Sequence, residues 1–326
     1  MSVPGWLWIF TLLGFAGWFA LELAVGGRRP HEVRTREAVG WVAFSVLAAI
    51  VFGTGVWVVA GHDYGVQFFT GYLTEYSLSM DNLFVFMVIL SAFAVPTIYQ
   101  SRVLLIGIAL ALLMRGVFIA VGAALVAKFV WVFFFFGAIL LWTAMKVARG
   151  EDETEEYHEN ALVRRLRARF PITDEFQGTK LTVRADGRRF ATPLLLVVVA
   201  VGSADLLFAV DSIPAIFGIT QEPFLVFTAN AFALMGLRQL YFLLGKLADK
   251  LIYLSYGLAV ILAFIGVKLM LHAVHEYDKG PDWLEINNWV SLAVIVAVLA
   301  ITTVASLVAT RRSPNGIPPT PDTVSP

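Results

Sequence analysis

Cysteine is missing from all 326 residues. That absence excludes disulfides, thiolate metal sites and thiol catalysis, and it leaves the redox compartment unread. Histidine is scarce. The five are His31, His62, His158, His272 and His275, and those near apolar runs fall at or beyond the ends of the runs. Without a buried histidine or any cysteine, a Zn²⁺ or Cu⁺ route lacks its usual ligands and is not expected. Net charge is zero, so bulk electrostatics points to neither nucleic acid nor an acidic substrate. No nucleophile elbow, P-loop or paired-histidine zinc motif occurs, so the chain reads as a non-enzyme without a tightly bound cofactor. No basic stretch precedes the first apolar run. That run is long enough to span a bilayer, so it reads as a retained helix rather than a cleavable signal.

Apolar residues make up 59% of the chain and mean hydropathy is +0.77, against about 45–50% apolar in soluble domains. The fold class expected is all-α and polytopic, because an open sheet cannot satisfy its backbone in lipid. Nine spans are predicted, near 5–25, 38–60, 66–92, 102–127, 130–149, 193–218, 223–246, 251–274 and 287–310. They divide the chain into two N-terminal spans (1–65), a three-helix unit (66–149), a linker (150–192), a second three-helix unit (193–274), a C-terminal span (275–312) and a disordered tail with five prolines (313–326). Twelve Lys and Arg lie in loops 26–37 and 150–192, whereas the opposite loops hold only Lys128 and Lys279. The positive-inside rule then places the N-terminus outside, and the linker and C-terminus in the cytoplasm, of a multi-pass cell-membrane protein. The linker starts acidic (Glu151 to Glu156), turns basic, and is expected to be solvated, with a short amphipathic helix near 159–169.

Four carboxylates interrupt the apolar runs in two matched pairs: Glu75 and Asp81, the latter followed by Asn82, and Asp205 and Asp211, the latter followed by Ser212. A charge at the bilayer centre costs about 2.5–3.5 kcal/mol on insertion scales, so such residues are candidates for function. The pairs also mark an internal repeat. Spans three to five lie over spans six to eight, with Arg115 and Arg238 each in the next span and Lys146 and Lys268 each late in the third. Three is odd, so the second copy would be inverted, the arrangement that places transporter substrates near the midplane. Six residues on a helix turn about 600°, so Glu75 and Asp81 point about 120° apart. Antiparallel crossing of the two copies would instead level Glu75 with Asp211 and Asp81 with Asp205, each level holding an ion. Pro214 is placed to break its helix and free carbonyl oxygens. The donors are Glu, Asp, Asn and Ser oxygens, with Asn230 in reach, and hard oxygen donors suit Mg²⁺, Ca²⁺ or Mn²⁺.

Rival readings exist for the same residues. Arg115 and Arg238, the candidate charge partners, would pair with two acids in a purely structural network, or the acids would relay protons without metal. Glu22 reads as interfacial, Lys268 and Lys146 as snorkelling, Met80, Met87 and Met114 as packing, and the run Trp131 to Phe136 as a membrane belt or packing.

The residues Glu75-x5-Asp81-Asn82, Phe208-Ala-Val-Asp211-Ser-Ile-Pro-Ala215 and Gly236-Leu-Arg238 with Tyr241-Phe242 resemble the TerC/Alx family of integral membrane proteins, in order and spacing over roughly 40–275. The family is similar to the broader LysE-type exporters and is associated with Mn²⁺ export and tellurite resistance. The resemblance implies that Glu75, Asp81, Asp205 and Asp211 bind the transported ion, with or without proton coupling. Members often carry a glutamate three residues before the first aspartate of the second motif, where this chain has Gly202. The partners expected are a divalent metal ion, Mn²⁺ first, and the bilayer. Two alternatives are a membrane anchor that organises stress-response partners and an exporter of small organic solutes.

Overall fold

A computed structural model describes residues 3–26, 35–150, 161–173, 175–185, 188–245, 253–278 and 286–312. The expected disordered tail, the acidic start of the linker, Lys279, and Arg28, Arg29 and Arg34 lie outside the described residues. The chain forms α1 (Gly5–Gly26), α2 (Thr35–Ala60), α3 (His62–Ala92), α4 (Thr97–Val126), α5 (Trp131–Ala148), α6 (Ala161–Arg169), the strands β1 (Thr182–Ala185) and β2 (Arg188–Ala191), α7 (Pro193–Phe217), α8 (Pro223–Met235), α9 (Leu237–Leu244), α10 (Leu254–Asp278) and α11 (Asn288–Arg312). It is a helical, multi-pass integral membrane protein.

Helix ends follow local chemistry. Gly61, at φ 110°, turns α2 into α3, a conformation that costs a glycine little. Ala94 takes a left-handed φ of 48° after α3, and the Val95 amide donates back to Leu90 O at 2.9 Å, a Schellman-type stop. Pro96 then precedes α4, and Pro193 and Pro223 stand in the first turns of α7 and α8, where a missing N–H costs nothing. The expected unit boundaries at 65/66 and 274/275 fall inside α3 and α10.

Among the described residues, eight helices are long and apolar enough to cross a membrane. The stretch 223–246, expected as one span, is instead two helices of 13 and 8 residues hinged at Gly236. It still returns the chain across the bundle. Helix α5 runs antiparallel to α7, with Thr143 bonded to Asp211 and Phe136 beside Phe217. It also runs antiparallel to α10, with Phe133 edge-on to His272 and Leu141 beside Gly266. Helices α7 and α10 therefore point the same way, and among the described residues α8 and α9 lie between them. Pro214 does not break α7 at mid-length, because the helix continues to Phe217.

The core is built on α3, α7 and α8, and α1, α2 and α11 turn large apolar side chains such as Phe10, Leu13, Val59 and Ile301 outward, as lipid-facing helices do. Helices α3 and α7 cross antiparallel: Thr220 donates to Gln67, Gly71 lies against Ile216, and Phe86 packs beside Phe208. Helix α4 runs parallel to α7, with Gly107 against Val201 and Gly122 against Phe217. The closest pairing joins α5 and α10. A Cβ on Gly137 would sit 2.9 Å from Gly266 O, so small residues set this approach. In the linker, α6 forms where the amphipathic helix is expected, and Val163 is fully buried in the core cluster that α7 shares. The hairpin β1–β2, with Val183 opposite Phe190, was not expected there.

Candidate functional site

The site lies between α3, α4, α7 and α8. The Arg115 guanidinium, 1% exposed, donates from Nη1 to Glu75 Oε2 at 2.8 Å, from Nη2 to Asp205 Oδ1 at 3.1 Å and from Nε to Asp205 Oδ2 at 3.2 Å. Glu75 is fully buried and Asp205 is 2% exposed. A planar guanidinium fits this bidentate pairing, which a lysine would not reproduce. The triad leaves acceptors over. Glu75 Oε1 has no hydrogen-bond partner, and neither do both amide atoms of Asn230 nor Ser212 Oγ. The Asn230 amide lies within hydrogen-bonding range of the Glu75 carboxyl, although its atoms fall short of full hydrogen-bond geometry. Buried polar atoms are normally satisfied, so unmatched oxygens beside two acids mark a place for something else.

Helical geometry separates the four acids into two classes. Seven residues turn about 700°, which returns to the same face. Asn82 thus shares the Glu75 face, and Ser212 shares the Asp205 face; both are buried. Asp81 and Asp211 lie about 120° away and are half-buried. Thr143 Oγ1 on α5 donates to Asp211 Oδ1 at 2.7 Å, and Ser255 Oγ on α10 donates to Asp81 Oδ1 at 3.3 Å. The antiparallel register of α3 and α7, Gln67 with Thr220 and Gly71 with Ile216, sets Glu75 near the level of Asp211 and Asp81 near that of Asp205, and Arg115 in addition ties Glu75 to Asp205. Among the described residues no three His, Asp or Glu side chains gather closely enough to hold a metal. Arg115 fills the space between the inner two.

Arg238 does not partner these acids. Its Nη2 lies 3.3 Å from Glu22 Oε1, and Gln239 Nε2 donates to the same oxygen at 2.9 Å. Glu22 is 6% exposed rather than interfacial. The Lys268 stem is buried and its Nζ donates to Asn288 Oδ1 at 2.9 Å and Ser291 Oγ at 3.0 Å, both in the first turn of α11. Gly202 packs on α4, where a Cβ would meet Leu110 Cδ2 at 2.8 Å. A glutamate there has no room unless Leu110 moves. Thr143, Ser255, Gln239, Asn288 and Ser291 carry no sequence signal, because single hydroxyls and amides in apolar helices usually bond their own backbone.

The model of the TerC family, described as integral membrane proteins, matches residues 60–314. The chain belongs to the TerC family. An uncharacterized membrane protein of Myxococcus xanthus is 42% identical over 311 residues, covering 95% of this chain and 94% of the relative. A second, from Mycobacterium tuberculosis, is 46% identical and covers 95% of this chain and 81% of the relative. A third, from Salmonella typhi, is named as a proposed membrane-bound redox modulator, Alx; it is 39% identical and covers 87% of this chain and 88% of the relative. No solved structure matches the chain. The triad Glu75, Arg115 and Asp205 of this TerC-family chain lies within the matched segment.

Proposed function

We propose that the chain is a membrane transporter that exports a divalent cation, Mn²⁺ first, through the carboxylates of α3 and α7. One observation carries the reading: deep between membrane helices, one carboxylate oxygen of Glu75, the Asn230 carboxamide and the Ser212 hydroxyl have no hydrogen-bond partner among the described residues, beside a second buried acid, Asp205, held by Arg115. These are hard donors, suited to a hard dication and too few and too confined for an organic solute. Glu75 and Asp205, with Asn82 and Ser212 on the same faces, form the inner station, and the half-buried Asp81 and Asp211 form outer stations on either side. The contacts support the inverted repeat: α3 lies on α8 as α7 lies on α4, α5 and α10 pack together, and each outer aspartate meets a hydroxyl on the other unit's third helix. The N-terminus is outside and the linker and C-terminus are cytoplasmic, because loops 26–37 and 150–192 carry the basic residues. The chain is not an enzyme and holds no tight cofactor. A relative named for redox modulation fits this reading, since a chain without cysteine acts on redox state through a metal rather than a thiol.

The test is metal uptake into inverted vesicles across a panel of divalent ions. Mn²⁺ should accumulate, Asp81→Asn and Asp211→Asn should abolish uptake in folded, inserted protein, and Arg311→Ala should change little. Transport that survives in folded aspartate variants would reduce the acids to structural partners and sink the metal reading.

A further inference from the structure

We infer that Arg115 is the resident cation of the inner station: between transport events its guanidinium holds the place a dication takes between Glu75 and Asp205, and each incoming ion must displace it. The inference rests on the divalent-cation reading. A guanidinium keeps its proton at any physiological pH, so the two buried acids always retain one permanent positive charge between them once cargo has gone. It engages three of their four oxygens and leaves Glu75 Oε1 bare beside an unsatisfied Asn230. One positive charge faces two negative ones; a dication balances both and takes the spare oxygens as well. The second unit cannot supply a rival, because Arg238 is held by Glu22 beyond the Gly236 hinge. Apparent affinity is then the intrinsic affinity reduced by the fraction of time the arginine is withdrawn, so this one side chain sets how tightly cargo is held and how readily it leaves.

Mn²⁺ titration of the full chain in lipid nanodiscs tests this. Arg115→Met keeps the apolar stem and removes the charge. It should bind Mn²⁺ at least about tenfold tighter than wild type, turn over more slowly in vesicles, and lose the gain when Glu75→Gln is added. Unchanged or weaker binding by folded Arg115→Met overturns the inference and leaves Arg115 as a positioning residue. Wild-type protein that binds no divalent ion overturns the transport reading itself, and this inference with it. Should Arg115→Met not fold, wild type grown with isotope-labelled arginine gives the answer. Its Mn²⁺-induced infrared difference spectrum should contain a band that shifts with the label and is absent from Arg115→Lys. Mn²⁺ binding without such a band overturns the inference.

Independently, the geometry points to an anionic phospholipid seated beside α6. A groove of about 550 Å³ runs from Val199 on α7 past Leu162, Leu166 and Phe170, with the exposed Arg165 and Arg169 along its edge. Val199 is six residues, about 9 Å, into a membrane helix, so the groove floor continues the acyl-chain region while the arginines, one turn apart, meet a phosphate at headgroup depth. The chemistry fits one acyl chain and one anionic headgroup together. Native mass spectrometry from mixed micelles should show wild type retaining phosphatidylglycerol over phosphatidylcholine. The folded double variant Arg165→Gln, Arg169→Gln should lose at least about fivefold of that preference. Equal retention of the two lipids by wild type, or an unchanged preference in the double variant, overturns the site.

Discussion

Arg115 and Arg238 occupy matched places in the two three-helix units, yet they end up in different company. Arg115 sits in the uninterrupted α4, parallel to α7, and reaches Asp205 with both sides of its fork and Glu75 with the remaining amino group. Arg238 follows Gly236, where α8 stops, and the new helix α9 carries it to Glu22 on α1. Arg115 thus serves the centre of the bundle, whereas the partly buried Arg238, on the short helix after Gly236, serves Glu22 on α1. The proposed inverted repeat therefore does not imply a symmetric site. One unit supplies the counter-ion for both inner acids, and the other anchors the N-terminal helix.

The comparison is sharpest where a partner is removed. Asp205→Leu should destabilise by about 3–5 kcal/mol, because it leaves a buried guanidinium without its fork; thermal unfolding in detergent should show this as the largest loss of the set. Glu22→Gln, the matching change at the edge, should cost only about 1–3 kcal/mol, since Arg238 is 13% exposed and Gln239 still bonds the same side chain. Equal losses would erase the distinction between centre and edge. Gly236→Ala probes the hinge itself. Alanine favours helix over glycine by about 1 kcal/mol, and its Cβ would sit 3.4 Å from Ser45 Cβ. The Glu22–Arg238 coupling in a double-mutant cycle should shrink if the hinge sets the direction of Arg238, while the Arg115 couplings stay unchanged. The smallest effects belong to the outer acids: Thr143→Val and Ser255→Ala should each cost about 0.6 kcal/mol, the usual worth of an interhelical hydrogen bond in membranes, with Thr143→Val the larger because its bond is shorter.

Much of this organisation is legible in the residue string. Long apolar runs fix the helices and their membrane setting, because unsatisfied backbone is intolerable in lipid. The amphipathic segment in the linker appears as α6 because Val163 and Leu166 recur on one face. The hairpin was legible too, since Asp186-Gly187 is a strong hairpin turn pair between two short strand-forming stretches; it stays hidden when the linker is read for charge alone. Glu75, Asp81, Asp205 and Asp211 stand out because charge in hydrocarbon is costly enough to be rare.

Partner choice is another matter. Six-residue spacing determines that each helix turns its two acids about 120° apart, but not which neighbouring helix each acid meets. That Arg115 joins Glu75 to Asp205, that Lys268 bonds Asn288 and Ser291, and that Glu22 is buried under Arg238 and Gln239 all depend on how helices distant in sequence cross. The apolar pattern specifies which residues enter the membrane, since transfer free energy is local to each segment. The tertiary structure alone decided which of them compensate one another, because a buried charge is satisfied by whichever donor the packing brings within about 3 Å.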